Sequence, residues 1–291
     1  MLSLSRVTKA YGDLRAVDDV SFTVPRGSLT GFVGANGAGK TTTMRVVLGI
    51  VEADAGEITW EGVPLNAQGR RRIGYMPEER GLYPRMPVRR QLVHLARLHG
   101  VDVVTARRRT DELLERLDLS ARADDHVDAL SLGNQQRAQI AAALVHDPEL
   151  LLLDEPFSGL DPVAVDRLTG LLRDLAAAGV PVLFSSHQLE LVERLCDRVV
   201  VLAAGRVVAA GEVEVLRRER GGSRLRLVLG DDAGWVREAA GVRVIDVDGP
   251  RALVEADDPQ ALLAEAVRRG SVREFTPVSP SLSELYREVL A

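Results

Sequence analysis

The sequence contains one cysteine, Cys196, and no apolar run long enough to span a membrane as a helix. A single cysteine cannot form a disulfide within the chain, so the sequence fits a reducing compartment, and we expect Cys196 to be a small buried apolar residue. Spanning a bilayer takes about 18 consecutive apolar residues. The N-terminal sequence MLSLSRVTKAYG also lacks the charged start and apolar stretch of a secretory signal. We therefore expect a soluble protein, or one that docks on a membrane component.

The chain has no net positive charge, and lysine is nearly absent. The formal net charge is -5, so no overall basic field favours nucleic acid as a partner. The basic runs at 70–72 and 107–109 have no interleaved aromatic residues, which is typical of solvated faces. Only Lys9 and Lys40 among the 37 basic residues are lysines. Lys40 therefore stands out, because a compact ammonium fits between phosphates where a planar guanidinium would be too large.

The 291 residues suffice for one large domain and one small domain, with 46% hydrophobic residues to form a core. Short alternating or apolar segments predict an antiparallel β subdomain, at 2–7, 20–24 and 58–60. Continuous apolar runs predict the strands of a parallel sheet, at 29–33, 150–153, 182–185 and 199–203. We expect helices to cover both faces of this sheet, including 40–50, 163–178 and 188–195. Leucines at helical spacing predict a helical insertion at about 87–145, within a first domain of residues 1–219.

A change in composition after about residue 220 predicts a second domain at 223–291. Its predicted strands are 224–229, 242–247, 251–256 and 272–276, and its predicted helices are 233–240 and 258–269. This βαββαβ order is that of a split βαβ, or ferredoxin-like, sandwich. A last helix is predicted at 282–290.

A glycine-rich segment, GANGAGKT at 34–41, lies between a predicted strand and a predicted helix, which is the context of a phosphate-binding loop. Its glycines permit backbone N–H groups to turn inward toward phosphate oxygens. Lys40 would neutralise the β and γ phosphates of ATP, and the hydroxyl of Thr41 would coordinate Mg²⁺. The alternative is a glycine-rich turn that merely starts a helix. The predicted ATP-binding residues are Gly34, Ala35, Asn36, Gly37, Ala38, Gly39, Lys40, Thr41 and Thr42.

Two adjacent carboxylates, Asp154 and Glu155, follow four consecutive leucines. They should stand at the carboxyl end of a buried strand, where ligands bind in such sheets. We expect Asp154 to hold Mg²⁺ and Glu155 to polarise the water that attacks the γ phosphate. The alternative is that both acids cap the helix beyond Pro156.

The segment LSLGNQQR at 130–137, placed between the phosphate loop and the paired acids, resembles the signature of ATP-binding cassette (ABC) transporter ATPases. The resemblance covers about residues 2–218 and implies a P-loop NTPase fold of the α/β class, with a parallel-sheet core, an antiparallel β subdomain and a helical subdomain. The second domain predicted above adds a small C-terminal α+β domain. The resemblance also implies a head-to-tail homodimer around two Mg-ATP, in which Ser131, Gly133 and Gln135 bind the ATP held by the partner copy. Leu132 and Asn134 depart from the family pattern LSGGQ.

The same resemblance assigns roles to four further positions. Tyr11 matches the aromatic residue that stacks on adenine, and His187 matches the switch histidine that contacts the γ phosphate. Asp161 lies in the D-loop, at 158–161, which runs along the dimer interface in the family. Glu78 occupies the Q-loop position, where the family has glutamine. A carboxylate there would bind Mg²⁺ more strongly but would add negative charge beside the triphosphate. The alternative for Glu78 is a solvated acidic turn.

The sequence YMPEERGLY at 75–83, the LSLGN variant and the tail FTPVSPSLSELYREVL together resemble subunits of ABC-2 type exporters, including drug-resistance and sodium-extrusion relatives. The resemblance implies an ATPase that is cytoplasmic and peripheral at the inner face of the cell membrane, where it energises a separate transmembrane permease. Two other hypotheses stay open at this point. One is a soluble ABC ATPase acting in DNA repair or translation, and the other is a module that senses ATP without turnover.

Overall fold

A computed structural model describes residues 1–79, 81–220, 224–278 and 281–284 of the chain. Contacts between residues divide the chain into two units, Met1–Gly211 and Glu212–Ala291. The segment 212–219, which we expected in the first domain, therefore groups with the second unit. Within the described ranges, no helix is both long enough and apolar enough to cross a bilayer.

The strands up to residue 212 are, in chain order, β1 (Leu2–Tyr11), β2 (Leu14–Val24), β3 (Leu29–Val33), β4 (Ala55–Trp60), β5 (Val63–Pro64), β6 (Ile73–Met76), β7 (Leu150–Leu153), β8 (Val182–Ser186), β9 (Arg198–Ala203) and β10 (Arg206–Glu212). The α-helices of the same part are α1 (Lys40–Val47), α2 (Ala67–Arg70), α3 (Val88–Leu98), α4 (Val103–Arg116), α5 (Leu132–Leu144), α6 (Pro162–Ala177) and α7 (Leu189–Leu195). Two short 3-10 turns lie at Ser120–Arg122 and Val127–Ala129.

The first sheet is antiparallel, with the strand order β2-β1-β4-β5, and confirms the predicted β subdomain. Its inward side chains, such as Leu2 and Leu4, alternate with more exposed ones, as expected for a sheet with one covered face. These side chains share one core with the second sheet, and the rings of Phe22 and Phe32 lie 5.4 Å apart between centroids. The two sheets are therefore packed face to face.

The second sheet has the order β10-β9-β3-β8-β7-β6, and its central pairs are parallel. The four leucines of β7 are at most 1% exposed, as expected for a strand that is covered on both faces. The parallel core is thus confirmed, but the prediction missed β6 and β10. In β6, an ideal Cβ on Gly74 would lie 2.2 Å from the carbonyl oxygen of Ala143, so only glycine allows α5 to approach this strand.

The predicted helical insertion is confirmed as α3, α4 and α5 with the two 3-10 turns between them. Pro87 stands at the start of α3, and Gly100, with φ of 88°, follows its end. The carboxylate of Asp102 caps α4 by accepting hydrogen bonds from the N–H groups of Val104 and Thr105, both at 3.0 Å. The insertion places α5 against β6 and β7, which brings its first residues toward the edge of the parallel sheet.

The second unit contains α8 (Val213–Arg220), β11 (Arg224–Leu229), a 3-10 turn (Gly234–Glu238), β12 (Val242–Asp248), β13 (Arg251–Ala256), α9 (Pro259–Arg269) and β14 (Val272–Pro277). Its strands form an antiparallel sheet in the order β12-β13-β11-β14 over a separate core. The helix predicted at 233–240 is wrong, because that segment forms only the short 3-10 turn. The predicted helix 282–290 falls outside the described residues beyond Glu284.

Two glycines near one another in sequence are expected to respond in opposite ways to alanine. Gly170 lies inside α6 with open space around it, so Gly170→Ala should raise the free energy of unfolding by about 0.5–1 kcal/mol. Gly179 also has open space but adopts φ of 93°, so Gly179→Ala should lower it by about 1–2 kcal/mol. Denaturant titrations of both variants measure this difference, and equal shifts would contradict the backbone argument.

Candidate functional site

A cleft of about 620 Å³ lies at the carboxyl ends of the parallel strands. The phosphate loop follows β3, Glu78 follows β6, and Asp154 with Glu155 follow β7, so three neighbouring turns meet at one edge of the sheet. This edge is where ligands bind in parallel α/β sheets. The described residues that line the cleft are Tyr11, Leu14, Arg15, Ala16, Asn36, Gly37, Ala38, Gly39, Lys40, Thr41, Thr42, Glu78, Asp154, Glu155, Ala204 and Gly205.

The backbone of the phosphate loop explains two of its glycines. Gly39 precedes α1 with φ of 103°, and an ideal Cβ there would lie 2.2 Å from the carbonyl oxygen of Ala16. A Cβ on Gly34 would lie 2.5 Å from the carbonyl oxygen of Leu202. Both positions therefore exclude any side chain, and the loop is held tightly against the neighbouring strands. Residues 36–42, which include the start of α1, line the cleft. A glycine-rich loop followed by a helix N-terminus is suited to phosphate oxygens.

The side chain of Lys40 is held inside this loop and is 7% exposed. Its Nζ donates to the carbonyl oxygens of Gly34 at 2.7 Å and Ala35 at 3.3 Å. Gly34 and Ala35, predicted to bind ATP, therefore contact the lysine instead of lining the cleft. The remaining predicted residues of the loop, from Asn36 to Thr42, do line it. An ammonium fixed at this point can reach phosphate oxygens in the cleft by exchanging its carbonyl partners.

Asp154 is almost completely buried, at 1% exposure. The hydroxyl of Ser185 donates to its Oδ1 at 2.5 Å, whereas its buried Oδ2 has no hydrogen-bond partner among the described residues. Buried carboxylate oxygens normally have partners, so this atom fits a cation or a cation-bound water. Thr41 lines the same cleft. Among the described residues, no group of three or more histidine, cysteine or acidic side chains is arranged to hold a metal ion by itself.

Glu155 has a backbone and a side chain that are both tied to β8 and the loop after it. Its φ is 51°, in the left-handed region that is uncommon for residues other than glycine. Its N–H donates to the hydroxyl of Ser185 at 2.8 Å, and its Oε2 lies 3.0 Å from Nδ1 of His187. The side chain of Glu155 is 13% exposed and that of His187 is 55% exposed. The structure therefore brings the predicted base and the predicted switch histidine into direct contact.

The described residues that line the cleft include none of the predicted signature residues, Ser131, Gly133 and Gln135. Ser131 caps α5, with its hydroxyl accepting from the N–H of Asn134 at 3.4 Å, and is exposed. An ideal Cβ on Gly133 would lie 3.4 Å from the carbonyl oxygen of Gly159, so the signature and the D-loop are neighbours. Asp161 caps α6 by accepting from the N–H of Ala164 at 2.9 Å. These residues form a second surface of the same unit.

Gln135 has a different position from the one we predicted. It is buried at 9% exposure, and its Nε2 donates to the carbonyl oxygens of Val127 and Leu130, both at 3.0 Å. Its amide donor thus stabilises the turn ahead of α5, whereas we expected it to face a nucleotide. The sequence LGNQQR offers no means of telling which of two adjacent glutamines points inward, because both fit a helix equally well.

Ser185 contacts both acids of the site and Tyr75 lies near Asp154, but neither residue was predicted. Ser185 interrupts the apolar run of β8 two residues before His187, and a polar residue at a buried strand end is the signal that could have identified it. Tyr75 precedes Met76 in β6 and is half-buried, and this burial, with Asp154 nearby, raises the pKa of its phenol. Tyr11 has the expected place at the rim of the cleft, with the ammonium of Lys9 5.7 Å from its ring centroid. Cys196 is buried, and burial raises the pKa of its thiol, as its predicted inert role requires.

Comparison with known proteins identifies relatives for both units. A family model described as ABC transporter matches residues 17–158, and a model of the C-terminal domain of DrrA1-3-like ATP-binding proteins matches residues 211–290. The ABC transporter ATP-binding protein YhaQ of Bacillus subtilis is 40% identical over 291 residues, covering 99% of this chain and 98% of the relative. The Nod factor export ATP-binding protein I of Ralstonia nicotianae is 38% identical, covering 91% of this chain and 84% of the relative.

Structural comparison agrees with these matches. The solved structure of an ATP-binding subunit of an ABC transporter has a TM-score of 0.71 and 34% sequence identity, covering 76% of this chain and 93% of that chain. The P-loop NTPase fold that we expected for the ABC cassette is thereby confirmed. Taken with the phosphate loop, the paired acids and the signature helix, these matches show that the chain belongs to the ATP-hydrolysing subunits of ABC transporters.

Proposed function

We propose that this chain drives an ABC-2 type exporter, by hydrolysing ATP as a homodimer bound to a separate transmembrane permease. The observation that carries the proposal is the placement of Asp154 and Glu155, both held by Ser185, opposite the phosphate loop in one cleft. Export as the direction of transport is supported by the DrrA-like C-terminal match and by the similarity to a Nod factor export protein.

The cleft divides into a part that holds the base and a part that holds the phosphates. The ring of Tyr11 presents a flat apolar face to adenine. Lys40 and the N–H groups around Gly37 and Gly39 bind the β and γ phosphates. Thr41 and the free Oδ2 of Asp154 are the groups that would hold Mg²⁺. When bound, Mg²⁺ offsets the negative charge that develops on the phosphate oxygens.

Hydrolysis requires a water molecule in line with the γ phosphorus. The carboxylate of Glu155 accepts a hydrogen bond from this water and takes up its proton as the new P–O bond forms. The bond between the γ phosphorus and the bridging oxygen breaks, and its electron pair leaves on ADP. Nδ1 of His187, 3.0 Å from Oε2 of Glu155, donates to the carboxylate and fixes its orientation. Only the imidazolium form, in which both ring nitrogens are donors, can also donate from Nε2 to the γ phosphate.

The separation between the cleft and the signature supports the proposed homodimer. Ser131 and Leu132 are exposed at the start of α5, beside the D-loop, and do not line the cleft of their own chain. In a head-to-tail dimer, the Ser131 hydroxyl and the Gly133 N–H of one copy reach the γ phosphate bound by the other. Each ATP is then held between two chains, and hydrolysis releases them from one another.

The permease is proposed to dock at a groove of about 320 Å³ beside β6. The groove is lined by β6, by the segment after it, by α3 and by α5, including Tyr75, Leu82 and Leu95. Glu78 lies in the same segment but lines the ATP cleft. A movement of this segment would therefore alter both the groove and the nucleotide cleft. Docking places the chain at the inner face of the membrane, with no role for nucleic acid.

The experiment that tests the proposed function combines the chain, in lipid vesicles, with the polytopic membrane protein that we expect a neighbouring open reading frame to encode. The two proteins are expected to co-purify, and the membrane protein should change the rate of ATP hydrolysis several-fold. A membrane neighbour that neither co-purifies nor alters hydrolysis would contradict the transport function. The ATPase activity of the chain alone is measured in parallel, so a loss of enzyme activity is not mistaken for a loss of partner.

Replacing Glu78 with glutamine is expected to separate ATP binding from coupling. Glu78→Gln keeps the size of the side chain, so the affinity for Mg-ATP should stay within a few-fold, whereas the stimulation by the membrane partner should change. Nucleotide titration and vesicle ATPase assays measure these two quantities. Glu79→Gln is the matched control, because Glu79 is adjacent and also exposed but is not among the residues that line the cleft. Equal coupling in both variants would contradict the role of Glu78.

A further inference from the structure

The side chain of Gln136 joins the signature helix α5 to the backbone of the predicted base. Its Nε2 donates to the carbonyl oxygen of Glu155 at 3.0 Å and to that of Pro156 at 3.1 Å. We propose that Gln136 is a positioning residue for hydrolysis, which aims the Glu155 carboxylate by holding the peptide that follows it. This inference rests on the proposed function, in which Glu155 orients the attacking water.

The backbone of Glu155 needs such support because its φ of 51° is unfavourable for a residue with a Cβ. Two groups from different parts of the fold hold it. The hydroxyl of Ser185, from β8, accepts a hydrogen bond from the N–H of Glu155 at 2.8 Å. The amide of Gln136, from α5, binds its carbonyl oxygen. The peptide groups before and after Glu155 are therefore both held by hydrogen bonds, the first from the parallel sheet and the second from the helical insertion.

The two adjacent glutamines of α5 connect this helix to different parts of the fold. Gln135 donates to carbonyl oxygens within the helical insertion, whereas Gln136 donates to the turn after β7 in the sheet. Gln136 also lies about one helical turn from Gly133, which we propose to bind the γ phosphate of the partner copy. Because a helix moves as a rigid body, the same displacement of α5 shifts both the Gly133 N–H and the amide that holds Glu155. The orientation of Glu155 in one ATP site thus depends on how α5 of the same chain contacts the ATP site of the partner copy.

The first test is the steady-state kinetics of two variants of the full chain, Gln136→Met and Gln136→Glu. Both keep the length of the side chain and remove the donor to Glu155. The turnover number kcat is expected to fall by about 10- to 100-fold, because the carbonyl oxygen of Glu155 loses the donor that fixes the peptide after it. The KM for Mg-ATP should stay within about threefold, because the phosphate loop is untouched. An unchanged kcat in both variants, with melting curves showing folded protein, would overturn the inference.

Gln91→Met is the matched control for a general loosening of the helical insertion. Gln91 is a buried glutamine of α3 that exchanges hydrogen bonds with the backbone of Tyr83 and does not contact Glu155. Gln91→Met is expected to lower the melting temperature while leaving kcat within about threefold. An equal fall of kcat in Gln91→Met and Gln136→Met would show that loosening alone explains the effect, and would overturn the positioning role.

Covalently linked dimers determine whether Gln136 acts on its own chain. In one dimer, a chain with both Gln136→Met and Glu155→Gln is joined to the wild type, so the remaining Glu155 has its own Gln136. In the other, a chain with Gln136→Met is joined to a chain with Glu155→Gln, so the remaining Glu155 has lost it. The first is expected to hydrolyse ATP about 10-fold faster than the second. Equal or reversed rates would overturn the inference, whereas inactivity of the wild-type dimer would instead contradict the proposed function.

Discussion

Replacing Glu155 with glutamine is expected to reduce ATP turnover by at least about 100-fold, which is the usual contribution of a general base. Glutamine has the size of glutamate and can still contact His187, so the cleft and the phosphate loop should keep their shape. The amide cannot take up a proton from the attacking water, so only the chemical step is lost. Mg-ATP should bind within a few-fold of the wild-type affinity, and an ATP-bound dimer should accumulate because it is not hydrolysed. Phosphate release and light scattering measure the two effects.

The matched control for this prediction is Glu149→Gln at the other end of the same strand. Glu149 precedes β7, pairs with Arg72 on the surface and is well exposed, so its loss should change stability by at most about 1 kcal/mol and leave turnover unchanged. Wild-type turnover in Glu155→Gln would reject the assignment of Glu155 as the base. Turnover lost equally in both variants would point to a disturbed strand instead of a missing proton acceptor.

Replacing Lys40 with methionine is expected to weaken Mg-ATP binding by about 10- to 100-fold, the value of one or two charge-assisted hydrogen bonds. The ammonium is buried within the loop and bonded to the carbonyl oxygens of Gly34 and Ala35, so its removal also leaves two acceptors without their donor. The loop should therefore lose both its charge and part of its order. Isothermal titration with Mg-ATP measures the affinity.

Charge and shape are separated by Lys40→Arg, with Lys9→Arg as the matched control at the second lysine of the chain. Lys9 pairs with Asp54, which is half-exposed, and a guanidinium can take over that contact. We expect Lys9→Arg to keep its affinity for Mg-ATP within about threefold and Lys40→Arg to lose most of it, because a closely packed loop has no room for the larger group. Full affinity in Lys40→Arg would contradict the steric argument for a lysine at this position.

Long uniform segments made the centre of the fold predictable. Four leucines followed by two acids are compatible with little other than a buried strand ending at a ligand site, and β7 has that position. Strand β6 escaped prediction because it is short and contains Gly74, whose presence depends on the approach of the Ala143 carbonyl from a distant part of the sequence. Local propensity contains no information about such a contact. The same holds for 233–240, where the apolar spacing fits a helix but the structure has only a 3-10 turn.

The candidate site was predictable where a backbone motif defines it and less so where packing does. The phosphate loop, Asp154, Glu155 and His187 follow from motif order and meet in the structure. The roles of Ser185 and Gln136 depend on which atoms three separate segments bring together, and a single serine or glutamine in a sequence gives no such indication. Gln135 illustrates this point, because consecutive residues of a helix point about 100° apart and only tertiary packing decides which one faces inward.

The hydroxyl of Ser185 has one hydrogen, which it donates in the hydrogen bond to Asp154. Ser185 can therefore only receive from the amide of Glu155, so the two hydrogen bonds run in a single direction, from the peptide through the hydroxyl to the carboxylate. Each bond in such a series polarises the next, and the negative charge at its end strengthens the whole series. The carboxylate of Asp154 thus strengthens the hydrogen bond between Ser185 and the N–H of Glu155. The residue suited to a cation and the residue suited to water are therefore coupled through a single oxygen atom, Oγ of Ser185.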